Sequence, residues 1–158
     1  MKSVYFYSFP LCKIGIAEED GAVCRIIFGG KAQAANMEKT GFKEDETQLI
    51  KKAAAQLGEY FDGKRKTFNL PLAPRGTEFQ MTVWKALQTI PYGKTCSYGQ
   101  LAAMIGNPKA CRAVGMANNR NPLAVIIPCH RVIGSDGSLT GYAGGLELKE
   151  KLIRLEKN

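Results

Sequence analysis

The sequence has a single histidine among 158 residues, and its five cysteines form no Cys-x-x-Cys pair. Structural zinc sites draw four cysteine or histidine ligands from short, regular spacings, which this chain does not offer. We therefore expect no metal and no organic cofactor. An odd number of unpaired cysteines also predicts free thiols in a reducing compartment rather than a disulfide framework. Cys12 and Cys24 lie in apolar surroundings and are predicted to be buried as small hydrophobic residues.

The chain also lacks any hydrophobic run that approaches the length of a transmembrane helix. Its first ten residues are too few and too polar to form the core of a signal peptide. The composition, 45% hydrophobic and 23% charged, is normal for a globular protein that buries a core. We therefore expect a cytoplasmic protein that has no membrane contact.

Acidic residues are scarce in the second half of the chain. Residues 73–158 carry 11 lysines and arginines against 5 acidic residues, a net charge of +6. Residues 1–72 carry 11 against 9, a net charge of only +2. Such an asymmetry suits a polyanionic partner for the second half, with nucleic acid first among the candidates. A basic surface that simply keeps the protein soluble explains the charge equally well.

The first half has the pattern of a small α/β unit. Three short runs have the character of strands: Val4–Phe9, Lys13–Ala17 and Val23–Phe28. From Glu46 to Phe61 the apolar residues recur at helical spacing, which predicts an amphipathic helix. Because no residue pattern here indicates chemistry, we expect residues 1–72 to form a scaffold domain.

The second half has a different, mostly helical pattern. Leu70–Gly76 contains two prolines and a glycine, which predicts a linker. Thr77 can then cap an amphipathic helix, Ser97 can cap a short second helix, and Asn107-Pro108 can open a third. Two short helices joined by a tight turn form a helix-turn-helix pattern, which in a basic segment favours DNA binding. We expect this domain to cover residues 76–158.

The run Pro128-Cys129-His130-Arg131-Val132 places a thiol beside the only histidine. A neighbouring base or cation makes the nucleophilic thiolate more accessible. The preceding run Ala124–Ile127 predicts a buried strand that would present the pair at its end. Adjacent side chains on a strand point to opposite faces, so a thiol–imidazole pair needs a turn or a bridging water. These residues alone leave open a thiol hydrolase, a redox protein and a thiol that accepts a group and keeps it.

From Gly76 to Glu156 the chain resembles the O6-alkylguanine-DNA alkyltransferases, also called methylated-DNA–protein-cysteine methyltransferases. The resemblance depends on seven blocks that occur in the same order. These blocks are Gly76–Gln80 with Val83-Trp84, Ile90–Thr95, Ser97–Ala102, Arg112–Gly115, Asn121-Pro122, Ile127–Gly134 and Gly141–Gly145. One block alone would be a weak motif, but seven in order leave little room for coincidence.

The resemblance implies a fold and a reaction. It implies an α/β N-terminal domain that is ribonuclease H-like, followed by a mostly α, winged-helix-like helix-turn-helix C-terminal domain. Cys129 is then the acceptor of an alkyl group from guanine O6, or from thymine O4, in a transfer that occurs once. His130 takes the thiol proton through a water, Glu156 orients that histidine, and Tyr98 donates to guanine N3 as the base leaves.

The resemblance also implies how DNA is bound. The partner is double-stranded DNA that carries alkylated guanine, contacted in its minor groove by a monomer. Arg112 fills the space left by the extruded nucleotide, although a simple phosphate contact is the alternative role for it. Residues beside it that are expected to contact DNA are Lys109, Ala110, Ala113 and Gly115. Residues expected to line the base pocket are Met116, Val132, Tyr142, Ala143 and Gly144. Asn121 is expected to hold the loop beside the reactive turn.

Two other classes of protein compete with this interpretation. A protein of the same fold can bind the lesion without removing the alkyl group, but such relatives replace the acceptor cysteine, which this chain retains as Cys129. A thiol hydrolase or redox protein would turn over a thioester or disulfide. The absence of a second cysteine near Cys129 in the sequence argues against the redox class.

Overall fold

The computed structural model describes residues 1–158, apart from the side chain of Lys31. The chain divides into two compact units, Met1–Pro74 and Arg75–Asn158. Within the described part of the chain, every helix is too short or too polar to cross a membrane.

The first unit is built on a four-stranded sheet with the strand order β3-β2-β1-β4. Its strands are β1 (Lys2–Ser8), β2 (Lys13–Glu19), β3 (Ala22–Phe28) and β4 (Lys43–Glu44). β1 and β3 pair antiparallel with β2, whereas β4 pairs parallel with β1. Asp20 and Gly21 both have positive φ in the tight turn between β2 and β3, where a glycine relieves the strain. The three predicted strands are confirmed.

Two helices belong to this sheet, α1 (Lys31–Lys39) and α2 (Gln48–Phe61). The Thr47 hydroxyl accepts a hydrogen bond from the Ile50 amide at 3.1 Å, which satisfies one of the free donors at the start of α2. Ile50, Leu57 and Tyr60 are fully buried. Burial of a large apolar side chain contributes about 1.5–3 kcal/mol to the free energy of folding. The sequence predicted α2 but not α1, because Met37 is the one buried residue among the described side chains of α1, which form no apolar stripe.

Two predictions for this unit are corrected. Cys12 and Cys24 are only partly buried, and Cys24 packs against a buried core cluster without being part of it. The predicted linker is in part an extension of the sheet. Leu72 forms a parallel bridge with Val23, whose amide donates to the Pro71 carbonyl at 2.8 Å.

The second unit is mostly helical. Its helices are α3 (Glu78–Leu87), α4 (Tyr98–Met104), α5 (Cys111–Asn119) and α6 (Leu146–Lys157), and a 3₁₀ turn covers Cys129–Arg131. Two short strands, β5 (Cys96–Ser97) and β6 (Val132–Ile133), pair in parallel. The predicted capping of α3 by Thr77 and of α4 by Ser97 is confirmed, since each forms a capping box with the glutamine three residues later. The third predicted helix begins at Cys111 rather than at Asn107.

The core of this unit joins α3 to α5. Trp84 is almost fully buried, and its indole Nε1 donates to the Ala117 carbonyl at 2.8 Å. A Cβ added at Gly76 would lie 2.4 Å from the Trp84 ring, so only glycine permits the chain to pass this close to the indole.

The predicted strand Ala124–Ile127 is wrong. These residues form successive turns, with Val125 at φ 73° and the Ile127 amide donating to the Leu123 carbonyl at 2.8 Å. A short continuous apolar run indicates that the segment is buried, but a buried segment need not be a strand. The side chain of Asn121 supplies hydrogen bonds that a neighbouring strand would otherwise provide. Its Nδ2 donates to the Ile127 carbonyl at 2.8 Å, and its Oδ1 accepts from the backbone amide of Leu123 at 3.0 Å.

We expect the Asn121→Ala variant to be destabilised by about 2–4 kcal/mol, because a buried donor and a buried acceptor of the backbone lose their partners. Equilibrium unfolding in urea measures this change. The exposed Asn107→Ala variant serves as the control and should stay within about 0.5 kcal/mol of the parent. Equal stability of the two variants would contradict the role given to Asn121.

Candidate functional site

Cys129 begins the 3₁₀ turn that follows Pro128 and is 5% exposed. The Cys129 amide donates to the Ile127 carbonyl at 2.8 Å, and the Arg131 amide donates to the Pro128 carbonyl at 3.1 Å. These bonds fix the turn on both sides of the thiol. Because Cys129 and His130 lie on a turn rather than on a strand, the strict alternation of side chains does not apply to them.

Glu156 of α6 is the centre of a buried polar cluster. One carboxylate oxygen, Oε2, lies 2.6 Å from His130 Nε2. Arg131 donates from Nε to Oε1 at 2.8 Å and from Nη2 to Oε2 at 3.1 Å, which is a two-pronged contact. The Gly93 amide donates to Oε1 at 3.2 Å. Arg131 Nη1 donates to the Ile90 carbonyl at 2.6 Å, so the cluster joins α6, the 3₁₀ turn and the segment after α3.

This cluster fixes the protonation state of His130. A carboxylate only accepts hydrogen bonds, so the proton of a neutral imidazole belongs on Nε2 and the lone pair on Nδ1. Burial lowers the pKa of His130 from its ordinary value, against the opposing effect of Glu156. His130 is therefore neutral at pH 7 and can act as a base.

The thiol beside it is protonated in the resting protein. Burial raises the pKa of Cys129 to about 11, although a hydrogen bond from the Asn121 side chain and the charge of Lys149 act in the opposite direction. A thiol with that pKa is protonated at pH 7. A reaction in which Cys129 served as the nucleophile would therefore need a neutral base that removes the thiol proton as the bond forms.

Tyr98, the first residue of α4, directs its hydroxyl at the loop that precedes α6. The hydroxyl lies 2.7 Å from Thr140 Oγ1 and donates to the Thr140 carbonyl at 3.4 Å. A Cβ added at Gly115 would lie 3.6 Å from the Tyr98 ring, so α5 passes close to that ring. The structure thus places Tyr98 against both the loop and the helix that carry other predicted site residues.

The residues predicted to bind DNA lie on and before the first turns of α5. Lys109, Arg112 and Ala113 are exposed, and Ala110 and Gly115 are partly exposed. Met116, predicted to line the pocket, is 61% exposed, so it lies on the surface of α5 rather than among the buried residues around Cys129.

Of the remaining predicted pocket residues, Val132 lies in β6, and Tyr142, Ala143 and Gly144 lie in the loop between β6 and α6. Val132 is fully buried, Tyr142 and Gly144 are partly buried, and Ala143 is exposed. At Gly141 an added Cβ would lie 2.7 Å from the Asn119 amide, so the loop passes tightly over the end of α5.

Two buried polar residues near the thiol were missed by the sequence reasoning. Asn118 Nδ2 donates to the Cys129 carbonyl at 3.4 Å. Lys149 is fully buried on α6, and its Nζ donates to the Thr140 carbonyl at 2.7 Å. For Lys149 the sequence offered one signal of burial: it lies two helical turns before Glu156 and therefore on the same face of α6.

Among the residues whose side chains the structure describes, no three histidine, cysteine, aspartate or glutamate side chains are grouped so that they could hold a metal ion.

Comparison with known proteins gives one consistent family. Residues 4–74 match the family described as 6-O-methylguanine DNA methyltransferase, ribonuclease-like domain. Residues 78–158 match 6-O-methylguanine DNA methyltransferase, DNA binding domain.

Relatives match over nearly the full chain. The methylated-DNA–protein-cysteine methyltransferase of Methanosarcina mazei is 49% identical over 149 residues, which is 94% of this chain and 93% of the relative. The constitutive enzyme of Bacillus subtilis is 47% identical over 151 residues, which is 94% of this chain and 91% of the relative. A crystal structure of the Mycobacterium tuberculosis protein in complex with DNA has a TM-score of 0.89 at 42% identity and covers 98% of this chain and 92% of that chain.

Because His130 is the only histidine, its titration can be followed directly by the NMR signal of its ring proton. We expect a midpoint below pH 6.5 in the folded protein, because burial lowers this pKa. The unfolded chain then binds the proton first, so the stability contributed by neutral His130 is present above about pH 6.5 and is lost as the pH falls through the folded pKa. A folded midpoint above that of the urea-unfolded protein would contradict this assignment.

Proposed function

The chain belongs to the 6-O-methylguanine DNA methyltransferase family, and on that premise we propose that it repairs DNA by transferring an alkyl group from guanine O6 to Cys129. It has the family's two domains, a ribonuclease-like α/β domain and a helical DNA-binding domain. The observation that supports the acceptor role most strongly is the buried thiol beside a neutral imidazole that Glu156 orients.

The proposed reaction is a single displacement. The Cys129 proton passes through a bridging water to Nδ1 of His130, and the sulfur attacks the alkyl carbon. The S–C bond forms as the C–O6 bond breaks, and the electron pair of that bond goes to the guanine. Tyr98 donates a hydrogen bond to guanine N3 and offsets the charge that develops there. Because the thioether product has no leaving group, each molecule reacts once. Thymine O4 offers a similar alkyl carbon and is a second proposed substrate.

The proposed DNA contact uses α4 and α5 as a winged-helix-like helix-turn-helix in the minor groove, with the ribonuclease H-like unit as scaffold. The exposed Arg112 and Lys109 supply charge, and the small residues Ala113 and Gly115 permit close approach. A guanine inside a duplex hides its O6 substituent, so the nucleotide is rotated out and Arg112 fills its place. We propose that a monomer acts in this way in the cytoplasm.

Incubation with a duplex that contains O6-methylguanine should place one methyl group per molecule on the Cys129 peptide, as measured by mass spectrometry. The Cys129→Ser variant should take up none, whereas the Cys12→Ser variant, which alters a cysteine of the first unit, should react like the parent. Transfer to another cysteine, or repeated turnover without modification, would contradict the proposed function.

We expect the Arg112→Ala variant to lose at least about tenfold in transfer rate on duplex DNA but much less on single-stranded DNA, where no base pair has to be opened. Arg154→Ala, which alters an exposed arginine of α6, is the control. Equal loss on both substrates, together with a shallower dependence on salt, would instead assign Arg112 a phosphate contact.

A further inference from the structure

Thr140, in the loop between β6 and α6, contacts the Tyr98 hydroxyl through both its side chain and its backbone. Its Oγ1 lies 2.7 Å from the Tyr98 oxygen, and the Tyr98 hydroxyl donates to the Thr140 carbonyl at 3.4 Å. The proposed reaction uses Tyr98 as a hydrogen-bond donor but gives Thr140 no part. A short contact to the one hydroxyl that the reaction needs suggests that Thr140 acts on that hydroxyl.

The direction of the short contact follows from the number of protons. A phenol hydroxyl has one proton to donate, and its oxygen can accept a further hydrogen bond. Both contacts are hydrogen bonds only if the Thr140 hydroxyl donates to the Tyr98 oxygen while Tyr98 donates to the Thr140 carbonyl. That carbonyl also accepts from Lys149 Nζ at 2.7 Å, so the 3.4 Å bond from Tyr98 is the weaker of the two. The Tyr98 proton is thus held loosely and can be given to another acceptor.

The backbone of Thr140 is held in place by two helices. Lys149 of α6, which is fully buried, donates to its carbonyl. The next residue, Gly141, has φ 39°, and a Cβ added there would lie 2.7 Å from the Asn119 side chain at the end of α5. The loop therefore has little freedom at this point, and the Thr140 hydroxyl is presented to Tyr98 from a fixed backbone position.

We propose that Thr140 is a positioning residue that acts through Tyr98. Its hydroxyl donates to the Tyr98 oxygen and leaves the Tyr98 proton for guanine N3. Hydrogen bonds in a chain polarise one another, so the bond from Thr140 makes Tyr98 a stronger donor to the charge that develops on the leaving guanine. Each hydroxyl keeps its own proton throughout. The inference rests on the proposed function, in which Tyr98 donates to guanine N3.

Solvent exposure determines where the effect of this bond is measurable. Tyr98 is partly buried and Thr140 is exposed, so in the free protein water competes for both hydroxyls. A bound duplex that displaces this water strengthens the bond between them. We therefore expect Thr140 to affect the rate of transfer from DNA and to leave the stability of the protein unchanged.

The test is the single-turnover rate of methyl transfer from a duplex that contains O6-methylguanine, measured with the full chain in excess. Thr140→Val keeps the branched shape of the side chain and removes its hydroxyl. We expect its rate to fall about three- to tenfold, the effect of one hydrogen bond. Thr140→Ser retains the hydroxyl and should react at nearly the parent rate. Thr82→Val is the matched control, because the exposed Thr82 donates to the Glu78 carbonyl of its own helix, and it should keep the parent rate.

Two further measurements separate action through Tyr98 from packing or DNA binding. In a Tyr98→Phe background the Thr140→Val substitution should cause no additional loss of rate, because the hydroxyl on which Thr140 acts is already absent. In a Cys129→Ser background, which should not react, Thr140→Val should leave the affinity for the duplex unchanged. The same loss in the Tyr98→Phe background, or a loss of affinity that accounts for the loss of rate, would overturn the proposal.

Failure of this inference can be told from failure of the proposed function. If the parent protein takes up no methyl group from the duplex, the proposed function is wrong and the role of Thr140 falls with it. If the parent reacts and Thr140→Val reacts equally fast, or if Thr140→Ser is as slow as Thr140→Val, only the role of Thr140 is overturned. Because the Thr140 side chain is exposed, both variants should keep the urea midpoint of the parent, which shows that any loss of rate does not come from unfolding.

Discussion

The buried carboxylate of Glu156 makes the interactions on which the proposed reactive site depends. A carboxylate that loses water is costly unless its oxygens are hydrogen-bonded and its charge is neutralised. Here Arg131 supplies the charge and two of the bonds, and His130 and the Gly93 amide also contact the carboxylate. The same contacts tie α6 to the 3₁₀ turn, so one cluster both positions the turn of Cys129 and balances the buried charge of Glu156.

Because of this arrangement, the two buried ionisable groups, His130 and Cys129, have different protonation states at pH 7. The imidazole stays neutral and presents the lone pair of one ring nitrogen, because the other ring nitrogen donates to Glu156. The thiol stays protonated, because burial raises its pKa. In the proposed reaction the thiol becomes a nucleophile only when His130 takes its proton. A protonated resting thiol suits the single alkyl transfer that we propose for Cys129.

Local signals in the sequence were reliable, and long-range ones were not. The capping residues Thr77 and Ser97 act on amides three residues away, and the helices they begin were predicted correctly. The apolar run before Cys129 suggested a strand, but Asn121 holds it in turns through side-chain bonds that periodicity does not encode. Glu156 was reached through the family resemblance, since 26 residues separate it from His130. Lys149 was missed because a lysine is ordinarily exposed.

The most direct test of this account is the ¹⁵N NMR spectrum of the folded protein labelled at its single histidine, recorded at pH 7. The account predicts a neutral ring with the proton on Nε2 and none on Nδ1, as the contact with Glu156 requires. A proton on Nδ1, whether in the other neutral tautomer or in the imidazolium, would contradict it. In either state the histidine could not accept the thiol proton at the nitrogen that faces away from Glu156.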